Sequence, residues 1–195
     1  MAESIGKNMF FRRSKEMLLE TGRLRIRYIN RDDWKSLQEI WKDFASSEYA
    51  QYDVWQNTDA ADVRKRAARW EEGNRGTEHL FFAVCLKDIM IGYVVFHKRG
   101  DGYEVGYCFH SAYQGKGYAR ESLLALMDYF QGMGVTRLTA GTALKNLPSV
   151  KLLQTTGFRQ TGTEQVSFYK DRTGDDIIFD GGIYEWTPGK TPEEM

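Results

Sequence analysis

Residues 103–123 read YEVGYCFHSAYQGKGYARESL, and the two glycines near the centre decide how the rest of the chain is understood. On their N-terminal side, YEVGYCFH alternates in the manner of a strand. On their C-terminal side, ARESLLALMDYFQGMG carries Leu123, Met127 and Phe130 at helical spacing and ends on Gly132 and Gly134. A turn of small residues between a strand and a helix start suits an anion. The backbone comes close, successive N–H groups point outward, and the helix dipole adds positive potential.

Three phosphate-handling patterns compete for this turn. A P-loop needs glycine at 110 and a hydroxyl residue at 117, where the chain has His110 and Gly117. A dinucleotide fingerprint needs glycine at 120, where Arg120 stands, and a βαβ setting that the surrounding pattern lacks. The pattern Gln/Arg-x-x-Gly-x-Gly/Ala is met by Gln114, Gly117 and Ala119.

Working outward, LRIRYI (24–29) alternates apolar with charged residues, as a half-buried strand does. NRDDWKSLQEIWKDF then sets Trp34, Leu37, Trp41 and Phe44 on one helical face, with Asn30 as N-cap. A second helix is expected over 59–72, with Val63, Ala67 and Trp70 inward. Beyond Gly73 and Gly76, HLFFAVCL and IMIGYVVFH flank Lys87 and Asp88 as a hairpin, and YEVGYCFH extends it to a meander. RLTAGT is a short strand, and NLPSVKLLQTTGF a short helix with Pro148 in its first turn and Gly157 past its end. Two strands, near 158–169 and 176–186, close the chain as a hairpin. The class is α/β (α+β), one domain around one mixed sheet. Residues 1–15 are a polar, aperiodic lead-in, 16–188 the domain and 189–195 a tail.

Composition narrows the functions. Lys plus Arg and Asp plus Glu are 27 each, so there is no global basic field for nucleic acid; Arg12, Arg13 and Lys15 make only a small local patch. Cys85 and Cys108 sit in apolar strand-like runs and read as buried thiols, and His79, His97 and His110 lack metal-ligand spacing, so no metal is expected. No signal-peptide run or membrane-length apolar stretch is present, and the expected location is the cytoplasm.

YEVGYCFHSAYQGKGYARESL together with NLPSVKLLQTTGF resembles the acetyl-CoA-binding core of the GNAT N-acetyltransferases. The opening LLETGRLRIRYINRDDW narrows the likeness to the RimJ/RimL-like branch, and it extends from about Leu18 to Trp186. The resemblance implies a mostly antiparallel, twisted sheet of about seven strands flanked by about four helices, with a V-shaped split between central strands. It implies that the pantetheine arm of acetyl-CoA pairs with the backbone of Cys108, Phe109 and His110. The pyrophosphate would rest on N–H groups of Gln114, Gly115, Lys116, Gly117, Tyr118 and Ala119, reaching Arg120.

The implied reaction is attack of a neutral amine on the acetyl thioester. At a lysine-like pKa near 10.4, about one amine in a few thousand is neutral at pH 7, whereas an α-amino group at about 7.7–8.0 starts far closer to reactive. A base or water chain is therefore required. Alternation puts Glu104, Gly106, Cys108 and His110 on one face, which makes Glu104 either that base or an ordinary ion-paired glutamate. Many members of the family carry a tyrosine acid four residues before the last Gly-Phe glycine; this chain has Leu153 there. The branch likeness points instead to Ser149 as hydrogen-bond donor to the leaving thiolate, and to Asn146 as a contact to the pantetheine amide, as a helix cap, or as both. Cys108 needs no nucleophilic role in direct transfer. The loop 48–57 is expected to border the acceptor, with Tyr49, Tyr52 and Trp55 shaping its pocket. The acceptor expected from the branch is a protein N-terminal amine, with polyamines, amino-sugars and small amino compounds as alternatives. A non-catalytic acyl-CoA-binding module is the reading from a different class. The chain is expected to be a monomer or homodimer, since the terminal hairpin offers an edge for pairing.

Overall fold

The computed structural model describes residues 17–189, so the expected lead-in over 1–15 and nearly all of the 189–195 tail lie outside the described residues. The domain opens on two strands, β1 (Met17–Glu20) and β2 (Leu24–Tyr28), the second burying Leu24, Ile26 and Tyr28 in alternation. Strand β1 is an addition to the seven expected. Its sequence, MLLE, is too short to display a period.

Asn30 starts the next helix as its sequence predicts, by way of a 3-10 turn (Arg31–Asp33) leading into α1 (Trp34–Ala45). The Asn30 side chain accepts the Asp32 N–H at 2.9 Å, and the Asp33 carboxylate accepts the Asn30 N–H at 2.9 Å. This capping box satisfies two backbone donors at once. Helix α1 buries Leu37, Ile40 and Trp41, and α2 (Ala60–Gly73) buries Val63 and Ala67. Together they cover one face of the sheet at Phe81, Ala83 and Val95.

The meander forms as expected from β3 (His79–Leu86), β4 (Ile89–Arg99) and β5 (Gly102–Phe109), with Lys87 at φ 56° in the first turn. Helix α3 (Tyr118–Gly132) packs on the opposite face, where Leu123, Leu126, Met127 and Phe130 meet Phe82, Val94 and Phe96. The Phe130 ring stacks on Phe96 with centroids 4.0 Å apart, a pairing that contributes about 0.5–1.5 kcal/mol beyond its buried area. The chain ends with β6 (Leu138–Ala143), α4 (Leu147–Thr155), β7 (Arg159–Lys170) and β8 (Asp176–Trp186).

The eight strands form one sheet in the order β1-β2-β3-β4-β5-β6-β8-β7. Every neighbouring pair is antiparallel except β5 and β6. That parallel ladder consists of Tyr103↔Leu138 and Glu104↔Thr139 and stops there. Beyond it β5 stays paired with β4 as far as Phe109, and β6 stays paired with β8 as far as Ala143. Each strand has its partner on the far side, so the two separate without stranding a buried ladder on either outer edge. A V opens in the middle of the sheet.

Candidate functional site

The V is the inner end of a cleft of about 950 Å³. Its walls carry most of the residues expected from sequence: Glu104, Cys108, Phe109, Gln114, Gly115, Gly117, Tyr118, Ala119, Arg120, Asn146 and Ser149, with Tyr49 and Tyr52 from the loop after α1. His110 and Lys116 stand outside the lining. The His110 ring accepts the Ala112 N–H at 3.2 Å, and the Lys116 ammonium donates to the Ala112 carbonyl at 2.9 Å. Both fold back onto the turn. Trp55 is 62% exposed and also lies outside the lining.

The turn itself depends on two left-handed glycines, Gly115 at φ 71° and Gly117 at φ 80°, a region that costs any residue with a Cβ. Gly117 is the N-cap of α3. The N–H groups of the first helical turn, which have no intrahelical carbonyl to meet, therefore open toward the cleft. Arg23 braces the turn from outside: its Nη1 donates to the Lys116 carbonyl at 2.9 Å, and its guanidinium pairs with Glu121 at 2.6 Å. Burial tends to raise the Glu121 pKa, but hydrogen bonds from Thr21 and Arg23 outweigh it and hold the carboxyl below its ordinary value. Asp43 at the end of α1 fixes the approach to the turn by accepting the Ser111 N–H at 2.7 Å and its hydroxyl at 2.6 Å. Neither brace is visible in local sequence.

The faces of β5 divide the cleft in two. Glu104, Gly106 and Cys108 pair across the ladder with His97, Val95 and Tyr93, on the side covered by α1 and α2. Val105 and Phe109 belong to the α3 core, with Tyr107 packed against it. The Glu104 carboxylate accepts a hydrogen bond from Arg99 Nε at 2.9 Å. Burial pushes the Cys108 thiol up to about 12, with the charges of Asp53 and Asp43 adding to the shift, so it is a protonated, unreactive thiol at neutral pH.

On the α4 side, the Asn146 Oδ1 accepts the Ser149 N–H at 3.3 Å and so caps the helix. The Ser149 hydroxyl lies 2.8 Å from the Tyr107 hydroxyl. Leu153, at the place where a tyrosine would be expected, is fully buried in the core.

The loop after α1 crosses to the terminal hairpin. Tyr169 on β7 donates its hydroxyl to the Asp53 carbonyl at 2.6 Å, and the Tyr52 ring meets Phe179 edge-on at 5.3 Å. Asp53 faces the cleft with one backbone partner, the Val54 N–H at 2.7 Å, and no ion pair among the described residues. The walls around it push its carboxyl above the ordinary value. Sequence reading did not select this residue, since a lone aspartate in an aperiodic loop carries no signal. Among the described residues no helix is long and apolar enough to cross a membrane, and no three His, Cys, Asp or Glu side chains assemble as a metal set.

Comparison with known proteins bears on this geometry. The family model described as an acetyltransferase (GNAT) domain matches residues 23–159. An uncharacterized N-acetyltransferase of Bacillus subtilis (strain 168), YnaD, is 34% identical over 152 residues, covering 75% of this chain and 85% of its own. The crystal structure of a GNAT-family acetyltransferase from Bacillus anthracis superposes with a TM-score of 0.69 at 28% identity, covering 87% of this chain and 97% of its own. RimL, a ribosomal L7/L12 alpha-N-protein acetyltransferase solved in complex with coenzyme A, superposes at 0.72 with 18% identity, covering 88% and 98%. At that identity the last comparison speaks for the fold.

Proposed function

This chain belongs to the GNAT acetyltransferase family and is an N-acetyltransferase, and on that premise we propose that it transfers acetyl from acetyl-CoA to a primary amine by direct attack on the thioester. The observation that carries the donor assignment is the junction of two features: a parallel ladder that ends at Glu104 and Thr139, and an N-cap turn with Gly115 and Gly117 in the left-handed region. The first leaves backbone free along β5 for a pantetheine arm. The second offers N–H groups and the positive end of α3 to a pyrophosphate.

A protein N-terminal amine is the acceptor that the RimJ/RimL-like likeness favours, and its low pKa eases the need for a strong base. A small-molecule amine is the second reading. It is favoured by the contacts of Tyr169 and Tyr52, which draw the acceptor-side loop onto the terminal hairpin. Release of free thiol from acetyl-CoA, measured with a panel of peptide N-termini and small amines, tests the assignment. Amine-dependent release with either class supports acetyl transfer and ranks the acceptors. Tight coenzyme A binding without amine-dependent release would mean a non-catalytic acyl-CoA-binding module instead.

A further inference from the structure

We propose that Tyr107 is the positioning residue for the leaving sulfur, holding the Ser149 hydroxyl so that its proton points at the thiolate; this rests on the acetyl-transfer reading above. The two hydroxyls lie 2.8 Å apart and come from opposite walls of the V, Tyr107 from β5 and Ser149 from the first turn of α4. Both line the cleft. The Ser149 backbone is fixed by Asn146, and its hydroxyl is held in place by the contact with Tyr107.

A serine oxygen gives one hydrogen bond and accepts two. Either hydroxyl can donate across the 2.8 Å contact; a phenol is a stronger acid than an aliphatic alcohol, and on that ground we take Tyr107 as donor and Ser149 as acceptor. That leaves the serine proton free to turn into the cleft. Burial raises the Tyr107 pKa to about 12 against the lowering effect of the Ser149 hydrogen bond, with the Tyr184 charge adding to the rise, so Tyr107 stays protonated through neutral pH. The charged group on α4 that also faces the cleft is Lys151. Tyr107 is therefore a fixed donor that does not itself ionise.

In the transfer, the amine lone pair forms the N–C bond and the C–S bond breaks with its electron pair going to sulfur. The proton shed by nitrogen leaves through a base or solvent. The negative sulfur then meets a serine O–H already polarised by the phenol behind it, and hydrogen bonds in such a chain strengthen one another. The tyrosine that family resemblance would place at Leu153 is absent from that helix, and a phenol reaches the same end of the cleft from the facing strand.

The test uses the product, so it does not depend on knowing the acceptor. Coenzyme A bound to the full chain is titrated with pH while thiolate ultraviolet absorbance is followed. Tyr107→Phe is expected to raise the bound thiol pKa by about half a unit to one unit, with affinity for the protonated thiol unchanged. Ser149→Ala should raise it at least as far, and the double variant no further than Ser149→Ala alone. Ser149→Thr, which keeps the hydroxyl, should restore the wild-type value. A titration that Tyr107→Phe leaves in place, whether or not Ser149→Ala moves it, would reduce Tyr107 to a packing residue and overturn the proposal. Failure of wild-type protein to bind coenzyme A would overturn the donor reading itself, and this inference with it.

Discussion

Arg99 Nε holds the Glu104 carboxylate at 2.9 Å, while Asp53, across the same cleft, has no cation partner among the described residues. The cleft walls raise the Asp53 pKa above its ordinary value although the residue keeps an exposed surface, and a raised pKa suits a general base. If transfer runs as proposed, base work is expected to fall to Asp53 before Glu104. Asp53→Asn is expected to lower kcat by about 100-fold, at the low end of general-base contributions, and Glu104→Gln by less than about tenfold. In wild type the rate should climb as pH rises through the Asp53 pKa, and that limb should vanish in Asp53→Asn. Steady-state kinetics on both variants decide it, and a larger loss at Glu104 would reverse the assignment.

The same residue makes a stability prediction with a definite sign. Burial raises the folded-state pKa of Asp53 above its unfolded value, so the ionised form is the one that folding disfavours. Stability linked to this group is greatest below the unfolded pKa and falls as pH rises through the folded one. Asp53 keeps an exposed surface, so the cost of its carboxylate at pH 7 is small, and Asp53→Asn should melt at or slightly above the wild-type temperature while losing activity. A clear drop in melting temperature would show that Asp53 is structural.

The cradle makes a contrast between two glycines. A Cβ on Gly117 would sit 3.4 Å from Arg23 Nη2, whereas one on Gly115 would meet nothing within 4 Å. Both have positive φ, so alanine at either carries about 1–2 kcal/mol of backbone strain. Gly117→Asp adds a carboxylate at the helix N-terminus where the proposed cradle would hold pyrophosphate, and should abolish coenzyme A binding by calorimetry while the fold survives. Gly115→Ala should weaken binding by no more than about thirtyfold, the equivalent of that strain. Equal affinities for wild type and Gly117→Asp would remove the cradle assignment.

What was legible in the sequence is what lies close along the chain. The Gln114–Ala119 turn, the Asn30 cap and the Lys87 hairpin are each set by a few consecutive residues, and their periodic flanks announced the strands and helices. The Ser149 end of the cleft is different. Tyr107 and Ser149 are 42 residues apart, and Asp43 and Ser111 are 68 apart. Such pairs form only once the sheet and the elements packed on it bring distant segments together. Alternation correctly grouped Glu104, Gly106 and Cys108, but only the helices packed on the sheet settled which face they share. Tyr49 and Tyr52 reached the cleft and Trp55 did not, because the aperiodic loop carries no period from which to read direction.

The Arg23–Glu121 brace gives a pH dependence of the opposite sign to Asp53. Thr21 and Arg23 hold the Glu121 pKa below its unfolded value, near 4.3 for a free glutamate. The brace therefore contributes fully above that value and is lost as pH falls through the lower, folded-state pKa. Glu121→Gln should be less stable than wild type at pH 7, and the gap should narrow below about pH 4.3 and close as pH falls below the folded-state pKa. Urea denaturation at several pH values measures the gap. One that persists unchanged into acid would mean that packing, not charge, is what Glu121 supplies.

Asn74 ties the helical layer to the sheet. Its Nδ2 donates to the Ile29 and Phe81 carbonyls at 3.0 and 3.2 Å, and its Oδ1 accepts the Phe81 N–H at 2.7 Å. It is 4% exposed, so water does not replace these partners freely. Asn74→Ala leaves buried backbone groups short of partners, at a cost of about 2–4 kcal/mol. For a domain of this size that lowers the melting temperature by roughly 4–16 °C. Asn74→Asp keeps an acceptor for Phe81 but turns a carboxylate toward two carbonyls; it should be at least as damaging at pH 7 and recover in acid, where a protonated carboxyl can donate. The cradle is assembled by other contacts, so folded Asn74→Ala should bind coenzyme A within about twofold of wild type, as expected of distant sites. Thermal melts with calorimetry on the same samples separate the two effects, and a weakened cradle would show that Asn74 couples the two halves of the cleft.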